Sequence, residues 1–318
     1  MKQTTNPSNK LGFLKKDIIS INDFSRGEIE YILKIAAKIE KIPEKKKLKL
    51  LAGKVLGTLF FEPSTRTRLS FETAMQHLGG SVLGFSEAKT SSASKGESTA
   101  DTVKMVEAYT DVVVIRHSLE GSARVGAEAT THPIINGGDG SNQHPTQTLL
   151  DLYTILKTQK KLTGLKIALV GDLKYGRTVH SLAIALSLFG CKLYFVSPKQ
   201  LVMPDSICDI LNERKIKYST HEKIEQVINE VDILYMTRIQ KERFGDPLEY
   251  EKVKDVYVLK KSMLDKVKKN MKILHPLPRV NEIEVEVDST PYAHYFQQGA
   301  NGVPVRQALL AIVLGKIK

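Results

Sequence analysis

The chain has 318 residues, which is long enough for two domains that each bury a core of their own. It contains no apolar run long enough to span a bilayer, and its polar first sixteen residues lack the apolar region of a signal peptide, so the sequence predicts a cytoplasmic protein. The net charge of +12 is interpreted first as a solvated surface and second as a means of steering small anions to the protein. Nucleic-acid binding ranks far behind, because the sequence has no basic face with interleaved aromatic residues.

The cysteines and histidines predict neither a metal centre nor a disulfide framework. Cys191 and Cys208 are far apart in the sequence, form no C-x-x-C pair and have no histidine at metal spacing. Both are expected to be small core residues rather than nucleophiles. The sequence therefore predicts no metal and no cofactor.

The first strand–helix unit carries a cluster of hydroxyls and arginines. Residues 54–61 are an apolar run typical of a buried strand, Pro63 ends it, and apolar residues recur at helical spacing from Phe71 to Leu78. The cluster at the predicted helix N-terminus is Ser64, Thr65, Arg66 and Thr67. Unpaired N–H groups, the helix dipole and a planar guanidinium suit a phosphate. Simple capping is the alternative, but capping needs only one hydroxyl.

The rest of the first half continues the alternation of strands and helices. Predicted strands are 81–85, 111–115 and 133–136, and predicted helices are 98–109 and 145–157. Arg116 ends the middle strand, the Gly-rich stretch 137–140 follows the last one, and His144 precedes the second helix. The dense polar groups around His144 favour recognition of a polar substrate, in which His144 could polarise a carbonyl oxygen.

The second half repeats the same pattern. Predicted strands are 166–170, 192–196, 215–219, 232–237 and 272–274; helices fill the gaps, one of them running to 189, and an amphipathic helix covers 304–316. Arg177 and Arg238 follow two of these strands, and a His-Pro-Leu-Pro-Arg turn at 275–279 follows the last.

This alternation predicts an α/β fold of two domains, each a parallel sheet flanked by helices on both faces. Ligands of such sheets bind beyond the carboxyl ends of the strands, which is where the candidate residues fall. Four arginines at strand ends indicate a site for several negative charges: Arg66, Arg116, Arg177 and Arg238. Catalysis there would rest on positioning and electrostatic stabilisation.

Two segments allow other interpretations. Residues 171–178 have the form G-x-x-x-x-G-R-T, close to a nucleotide-binding P-loop, but Arg177 replaces the required lysine and the loop is poor in glycine. The polar stretch 91–97 is, from its composition alone, an ordinary flexible surface loop.

Five motifs together resemble the aspartate/ornithine carbamoyltransferase family over nearly the whole chain. They lie at 61–68, 144–148, 171–178, 237–243 and 275–279, and the last three point to the aspartate branch. The resemblance implies transfer of the carbamoyl group of carbamoyl phosphate to the α-amine of L-aspartate, the committed step of pyrimidine synthesis, through a tetrahedral intermediate and without a covalent enzyme intermediate.

The resemblance also assigns roles to individual residues. Carbamoyl phosphate would be held by Ser64, Thr65, Arg66, Thr67, Arg116, His144, Gln147 and the backbone carbonyls of Pro276 and Leu277. Arg66, Thr67, Arg116 and His144 would act in catalysis. Arg177, Arg238 and Gln240 would bind the aspartate carboxylates.

Assembly and domain limits follow from the same resemblance. It implies a homotrimer in which Ser91 and Lys95 reach the neighbouring chain's site, and it leaves open a separate regulatory chain. The expected domains are 1–144 with the C-terminal helix 297–318, binding carbamoyl phosphate, and 145–296, binding aspartate. Two alternatives remain: another amine acceptor such as ornithine, which the two arginines of the second half disfavour, and a non-catalytic homologue.

Overall fold

A computed structural model describes residues 12–239, 247–253 and 256–317 of the chain. They fall into two compact units, one within residues 1–149 and 302–318 and the other within 150–301. None of the described helices is both long enough and apolar enough to cross a bilayer.

The first unit is built on a four-stranded parallel sheet in the order β2-β1-β3-β4. Its strands are β1 (Val55–Phe60), β2 (Ser81–Phe85), β3 (Val112–His117) and β4 (Ile134–Asp139). Its helices are α1 (Arg26–Glu40), α2 (Glu44–Lys47), α3 (Thr65–His77), α4 (Thr99–Glu107), α5 (Ser122–Glu128) and, from the C-terminus, α11 (Gly302–Val313). The inner strands β1 and β3 are mostly apolar, because helices cover both faces of a parallel sheet.

The second unit is built on a five-stranded parallel sheet in the order β7-β6-β5-β8-β9. Its strands are β5 (Lys166–Val170), β6 (Lys192–Val196), β7 (Tyr218–His221), β8 (Ile233–Met236) and β9 (Lys272–Leu274). Its helices are α7 (Arg177–Ser187), α8 (Asp205–Glu213), α9 (Pro247–Val253) and α10 (Tyr295–Ala300). Helix α6 (Pro145–Gln159) contains the point where the chain passes from one unit to the other.

Local chemistry explains most of the element boundaries. Ser98 begins α4 by accepting a hydrogen bond from the N–H of Asp101 at 3.1 Å, as its capping-box spacing predicts. The strand predicted at 215–219 is wrong at its start, because Lys215 takes a left-handed conformation (φ 56°) that ends α8 and delays β7 to Tyr218. The stretch 91–97, which the sequence predicts to be an ordinary surface loop, contains a 3-10 helix, Ser92–Lys95.

Helix α1 was not predicted and packs against the C-terminal helix α11. Its apolar residues Ile29, Ile32 and Ile39 are fully buried, and the Ser25 hydroxyl caps its N-terminus. Helix α11 also packs on α3, where the buried Arg306 guanidinium lies 4.9 Å from the Phe71 ring centroid. The helix carrying the hydroxyl cluster therefore rests on a tightly packed support.

Candidate active site

The hydroxyl and arginine cluster lies at the N-terminus of α3, directly beyond β1. Ser64 is the N-cap residue, yet its side chain makes no capping hydrogen bond. Thr67 is buried, whereas Thr65 and Arg66 are exposed. Because the Ser64 hydroxyl makes no capping hydrogen bond, simple capping does not account for the cluster.

Arg116 lies beside this cluster because β3 pairs with β1 and places Arg116 opposite Phe60. Its side chain is only 11% exposed. One terminal nitrogen lies 2.9 Å from the Glu62 carboxylate, and the other donates to the Gly137 carbonyl at 3.2 Å. A guanidinium that is largely removed from solvent needs such partners, and they fix its direction. Glu62 receives no role in the sequence analysis, although its position just after the end of β1 could have indicated one.

His144 and Gln147 extend the same edge of the sheet toward β4. His144 is buried and precedes Pro145, the first residue of α6, and its carbonyl accepts the N–H groups of Gln147 and Thr148 at 3.0 and 3.2 Å. These bonds set the first turn of the helix. The imidazole and the Gln147 amide are thus carried by the N-terminus of a rigid helix that follows the strand next to Arg116.

The sheet topology explains why these groups meet. In the order β2-β1-β3-β4, strand β2 lies on one side of β1, whereas β3 and β4 lie on its other side. The change of side makes the gap between β1 and β3 the switch point of the sheet, and ligands of open α/β sheets bind at the carboxyl end of such a point. The cluster after β1 and Arg116 after β3 flank that point.

Arg177 occupies the corresponding place in the second unit, at the first residue of α7 after β5. Two buried groups shape the loop that leads to it. The Asp172 carboxylate accepts the Tyr175 N–H at 2.9 Å, and His180 Nε2 lies 2.7 Å from the Leu173 carbonyl. Burial lowers the pKa of His180, so the ring is neutral and its Nε2–H donates to that carbonyl. His180 is a further residue that the motif analysis missed.

Arg238 follows β8, the strand that pairs with β5. The preceding Thr237 binds the Val170 carbonyl with both its N–H and its hydroxyl, each at 2.9 Å, which fixes the strand end. The order β7-β6-β5-β8-β9 has its switch point between β5 and β8, so Arg177 and Arg238 flank it. Gln240, predicted to act with them, lies outside the described residues.

The turn after β9 presents the backbone of Pro276 and Leu277 at the same edge of the second sheet. Arg279, which ends the motif, binds the Asp288 carboxylate and donates to the Tyr295 hydroxyl at 2.9 Å. The hydrogen bond to Asp288 raises the pKa of Arg279, and the same bond lowers that of Asp288. Arg279 therefore holds the end of this turn in place through Asp288 and Tyr295.

Ser91 and Lys95 lie beyond β2, one of the two outer strands of the first sheet. The Ser91 hydroxyl donates to the Ala88 carbonyl at 2.8 Å and accepts the Ala93 N–H at 3.3 Å, so it caps the 3-10 helix. Lys95 is exposed. The cap holds the segment in shape and presents the ammonium group to solvent.

Each unit therefore carries its own set of anion-directed groups. Ser64, Thr65, Arg66, Thr67, Arg116, His144 and Gln147 share one edge of the first sheet. Arg177, Arg238, Pro276 and Leu277 share one edge of the second. Within the described part of the chain no group of three His, Cys, Asp or Glu side chains has the arrangement of a metal site. The fold and these groups define a two-unit α/β protein with arginines at the carboxyl edge of each sheet.

Comparison with known proteins identifies the family. Residues 16–157 match the family model "Aspartate/ornithine carbamoyltransferase, carbamoyl-P binding domain", and residues 163–313 match "Aspartate/ornithine carbamoyltransferase, Asp/Orn binding domain". The chain belongs to the aspartate/ornithine carbamoyltransferase family.

Individual relatives are similar along almost their whole length. The aspartate carbamoyltransferase catalytic subunit of Chromobacterium violaceum is 56% identical, over 95% of this chain and 99% of that protein. The solved catalytic subunit of M. jannaschii aspartate transcarbamoylase is 52% identical, with a TM-score of 0.87 over 94% of this chain and 98% of that one. Trypanosoma cruzi aspartate transcarbamoylase in complex with carbamoyl phosphate and aspartate is 37% identical, with a TM-score of 0.90 over 95% and 98%.

Proposed function

We propose that this chain is the catalytic chain of an aspartate carbamoyltransferase. It transfers the carbamoyl group of carbamoyl phosphate to the α-amine of L-aspartate and releases phosphate. One structural observation carries the proposal: arginines flank the switch point of both sheets, Arg116 in the first and Arg177 with Arg238 in the second. The solved Trypanosoma cruzi relative in complex with carbamoyl phosphate and aspartate supports the choice of substrates.

Carbamoyl phosphate binds to the first unit. The hydroxyls and N–H groups at the start of α3, together with Arg66, receive the phosphate. Arg116, held in direction by Glu62, bridges from the phosphate to the carbonyl oxygen. Thr67, Arg116 and His144 donate to that oxygen as it becomes an oxyanion, and Gln147 holds the carbamoyl NH₂.

Aspartate binds to the second unit, where Arg177 and Arg238 receive its two carboxylates and Gln240 assists. Two guanidinium groups match a dicarboxylate through paired N–H donors. Ornithine carries a cationic side chain and would be repelled by the same pair. The choice between acceptors therefore rests on charge.

The reaction needs positioning rather than a protein nucleophile. The neutral α-amine attacks the carbonyl carbon, the tetrahedral intermediate collapses, and the C–O bond to phosphate breaks. The departing phosphate accepts the amine proton, so atoms and charge balance without a covalent enzyme intermediate. Catalysis comes from holding the reactants in place and stabilising the oxyanion.

The proposed assembly is a homotrimer in the cytoplasm, serving pyrimidine synthesis. Ser91 and Lys95 act in a neighbouring chain's site, and the exposure of Lys95 fits that role. The positive net charge draws anionic substrates toward the protein. A separate regulatory chain is compatible with this arrangement. The native mass of the chain expressed alone tests it: a trimer is expected, and a stable monomer contradicts a shared site.

The function is tested by phosphate release from carbamoyl phosphate in the presence of L-aspartate, for the native chain and for Arg238→Ala. We expect release from the native chain and a loss of at least a hundredfold, roughly, in kcat/KM for aspartate in the variant. Arg214→Ala, which removes a guanidinium bound at the far end of α7 at Ser187, is the matched control and keeps its activity. Equal rates for the two variants would refute the carboxylate assignment.

A further inference from the structure

A buried histidine–glutamate pair encloses the turn that follows β9. His275 is 1% exposed and Glu282 is 4% exposed, and His275 Nε2 lies 2.6 Å from Glu282 Oε1. The segment between them contains Pro276 and Leu277, whose backbone carbonyls the family resemblance assigns to the binding of carbamoyl phosphate. Neither His275 nor Glu282 has a part in the mechanism so far.

The hydrogen bonds fix the tautomer of the histidine. Its Nδ1 accepts the N–H of Leu277 at 2.8 Å and therefore carries no proton. The proton lies on Nε2 and is donated to Glu282. The other carboxylate oxygen accepts the N–H groups of Val280 and Asn281 at 3.0 and 3.1 Å. In the described part of the chain, the side-chain hydrogen bonds of the pair, apart from the one between its two members, all come from the backbone of the turn.

The charges of the pair agree with this geometry. Burial lowers the pKa of His275 although Glu282 opposes that effect, so the ring is neutral. Burial alone would raise the pKa of Glu282, but the hydrogen bonds from His275 and the backbone outweigh it and lower the pKa. A neutral imidazole and a carboxylate are thus held in one arrangement.

The turn needs this support because Leu277 adopts a left-handed conformation, with φ at 56°. Such a conformation is strained for a residue with a side chain, and the hydrogen bond from the Leu277 N–H to the ring offsets that strain. The start of the turn is fixed as well, since the His275 N–H donates to Gln298 Oε1 at 2.8 Å. Gln298 in turn donates to the buried Asp151 at 2.6 Å.

We propose that His275 and Glu282 are positioning residues for carbamoyl transfer: they hold the Pro276 and Leu277 carbonyls in the direction that receives the carbamoyl NH₂. The proposal rests on the proposed function. His275 acts through the Leu277 N–H, and Glu282 acts through the tautomer of His275 and through the N–H groups of Val280 and Asn281. Neither side chain touches substrate.

Two substitutions separate the bonds of the ring. His275→Asn places an amide oxygen near the position of Nδ1 and keeps an acceptor for the Leu277 N–H. His275→Gln places an amide nitrogen near the position of Nε2 and keeps a donor for Glu282, but it loses the acceptor. Both variants lose one buried hydrogen bond, so a purely structural role predicts similar stability and similar activity for the two.

The test compares kcat/KM for carbamoyl phosphate at saturating aspartate, the dissociation constant of inorganic phosphate, and thermal stability. Ser187→Ala is the control, since it removes a buried hydroxyl bound to Arg214 at the opposite end of α7. We expect a fall of about tenfold to a hundredfold for His275→Gln and a clearly smaller fall for His275→Asn. Phosphate binding should be unchanged in both.

The ¹⁵N signals of the His275 ring supply a readout that does not depend on turnover. The native protein should show a neutral ring protonated on Nε2, and Glu282→Gln should shift the ring toward the other tautomer, because an amide cannot accept from both sides. Equal kcat/KM for the Asn and Gln variants, or a native ring protonated on Nδ1, would overturn the proposal. If the native chain releases no phosphate with aspartate, the proposed function fails first and the positioning role fails with it.

Discussion

Gly171 is the most revealing single position for the second unit, because a methyl group there would push apart β5 and β8, the two strands that precede Arg177 and Arg238. A Cβ at Gly171 would lie 2.3 Å from the Thr237 carbonyl oxygen, whereas ordinary contact begins at 3.4 Å. The ends of β5 and β8 would have to part by about 1 Å. A displacement of that size at reacting groups costs about a hundredfold in rate. We therefore expect Gly171→Ala to lower kcat/KM for aspartate by about that factor.

Gly190→Ala is the matched control. Gly190 also has a positive φ, at 62°, but an added Cβ meets nothing within 4 Å, so its substitution costs only the backbone strain of about 1–2 kcal/mol. Phosphate release at varied aspartate measures the effect, phosphate affinity checks that the first unit is unaffected, and thermal unfolding checks that both variants fold. The reasoning is refuted if both variants retain native kcat/KM, or if Gly171→Ala weakens phosphate binding as much as it weakens aspartate use.

Three further outcomes are expected. Thr67→Val, which removes a buried hydroxyl proposed to stabilise the oxyanion, should lower kcat about a hundredfold with the fold intact, as measured by phosphate release and circular dichroism. Asp232→Asn should lose about 1–3 kcal/mol of unfolding free energy at pH 7, since the Asp232 carboxylate accepts bonds from the Lys166 N–H and Lys268 Nζ at 2.9 and 2.8 Å. Burial alone would raise the pKa of Asp232, but these bonds lower it, so the stabilisation is present above the unfolded pKa of about 4 and the difference should shrink in urea titrations at lower pH. Burial raises the pKa of Cys191 to about 11, so iodoacetamide at pH 7.5 should leave that thiol unmodified by mass spectrometry; rapid alkylation would contradict its burial.

The parallel sheets could be predicted because their strands are short apolar runs between turn residues. Strands β5 and β6 begin and end where the sequence placed them, since Val, Ile, Leu and Phe dominate both and glycine or proline lies close by. The start of β7 could not be read in the same way, because the left-handed Lys215 carries a side chain and gives no composition signal. Helix α1 did carry a signal, the Ser25 capping box followed by apolar residues at helical spacing.

In the candidate site, too, the sequence predicts residues in local motifs but not the partners that the fold brings to them from elsewhere in the chain. Residues in contiguous motifs, such as Ser64–Thr67, could be selected from sequence, and their roles in the reaction stay predictions. The partners that orient the site residues could not be selected from sequence. Glu62 reaches Arg116 only through the register of β1 with β3. Glu282 contacts His275 across a turn of irregular conformation, so no periodic spacing in the sequence predicts the pair.

The central claim is that two arginines of the second unit select a dicarboxylate acceptor. It is tested most directly by giving the native chain carbonyl-¹³C carbamoyl phosphate with equal concentrations of L-aspartate and L-ornithine, and by identifying the labelled product by mass spectrometry. We expect labelled N-carbamoyl-L-aspartate with at most a trace of labelled citrulline. Citrulline as the main product, or no labelled product with either acceptor, would contradict it.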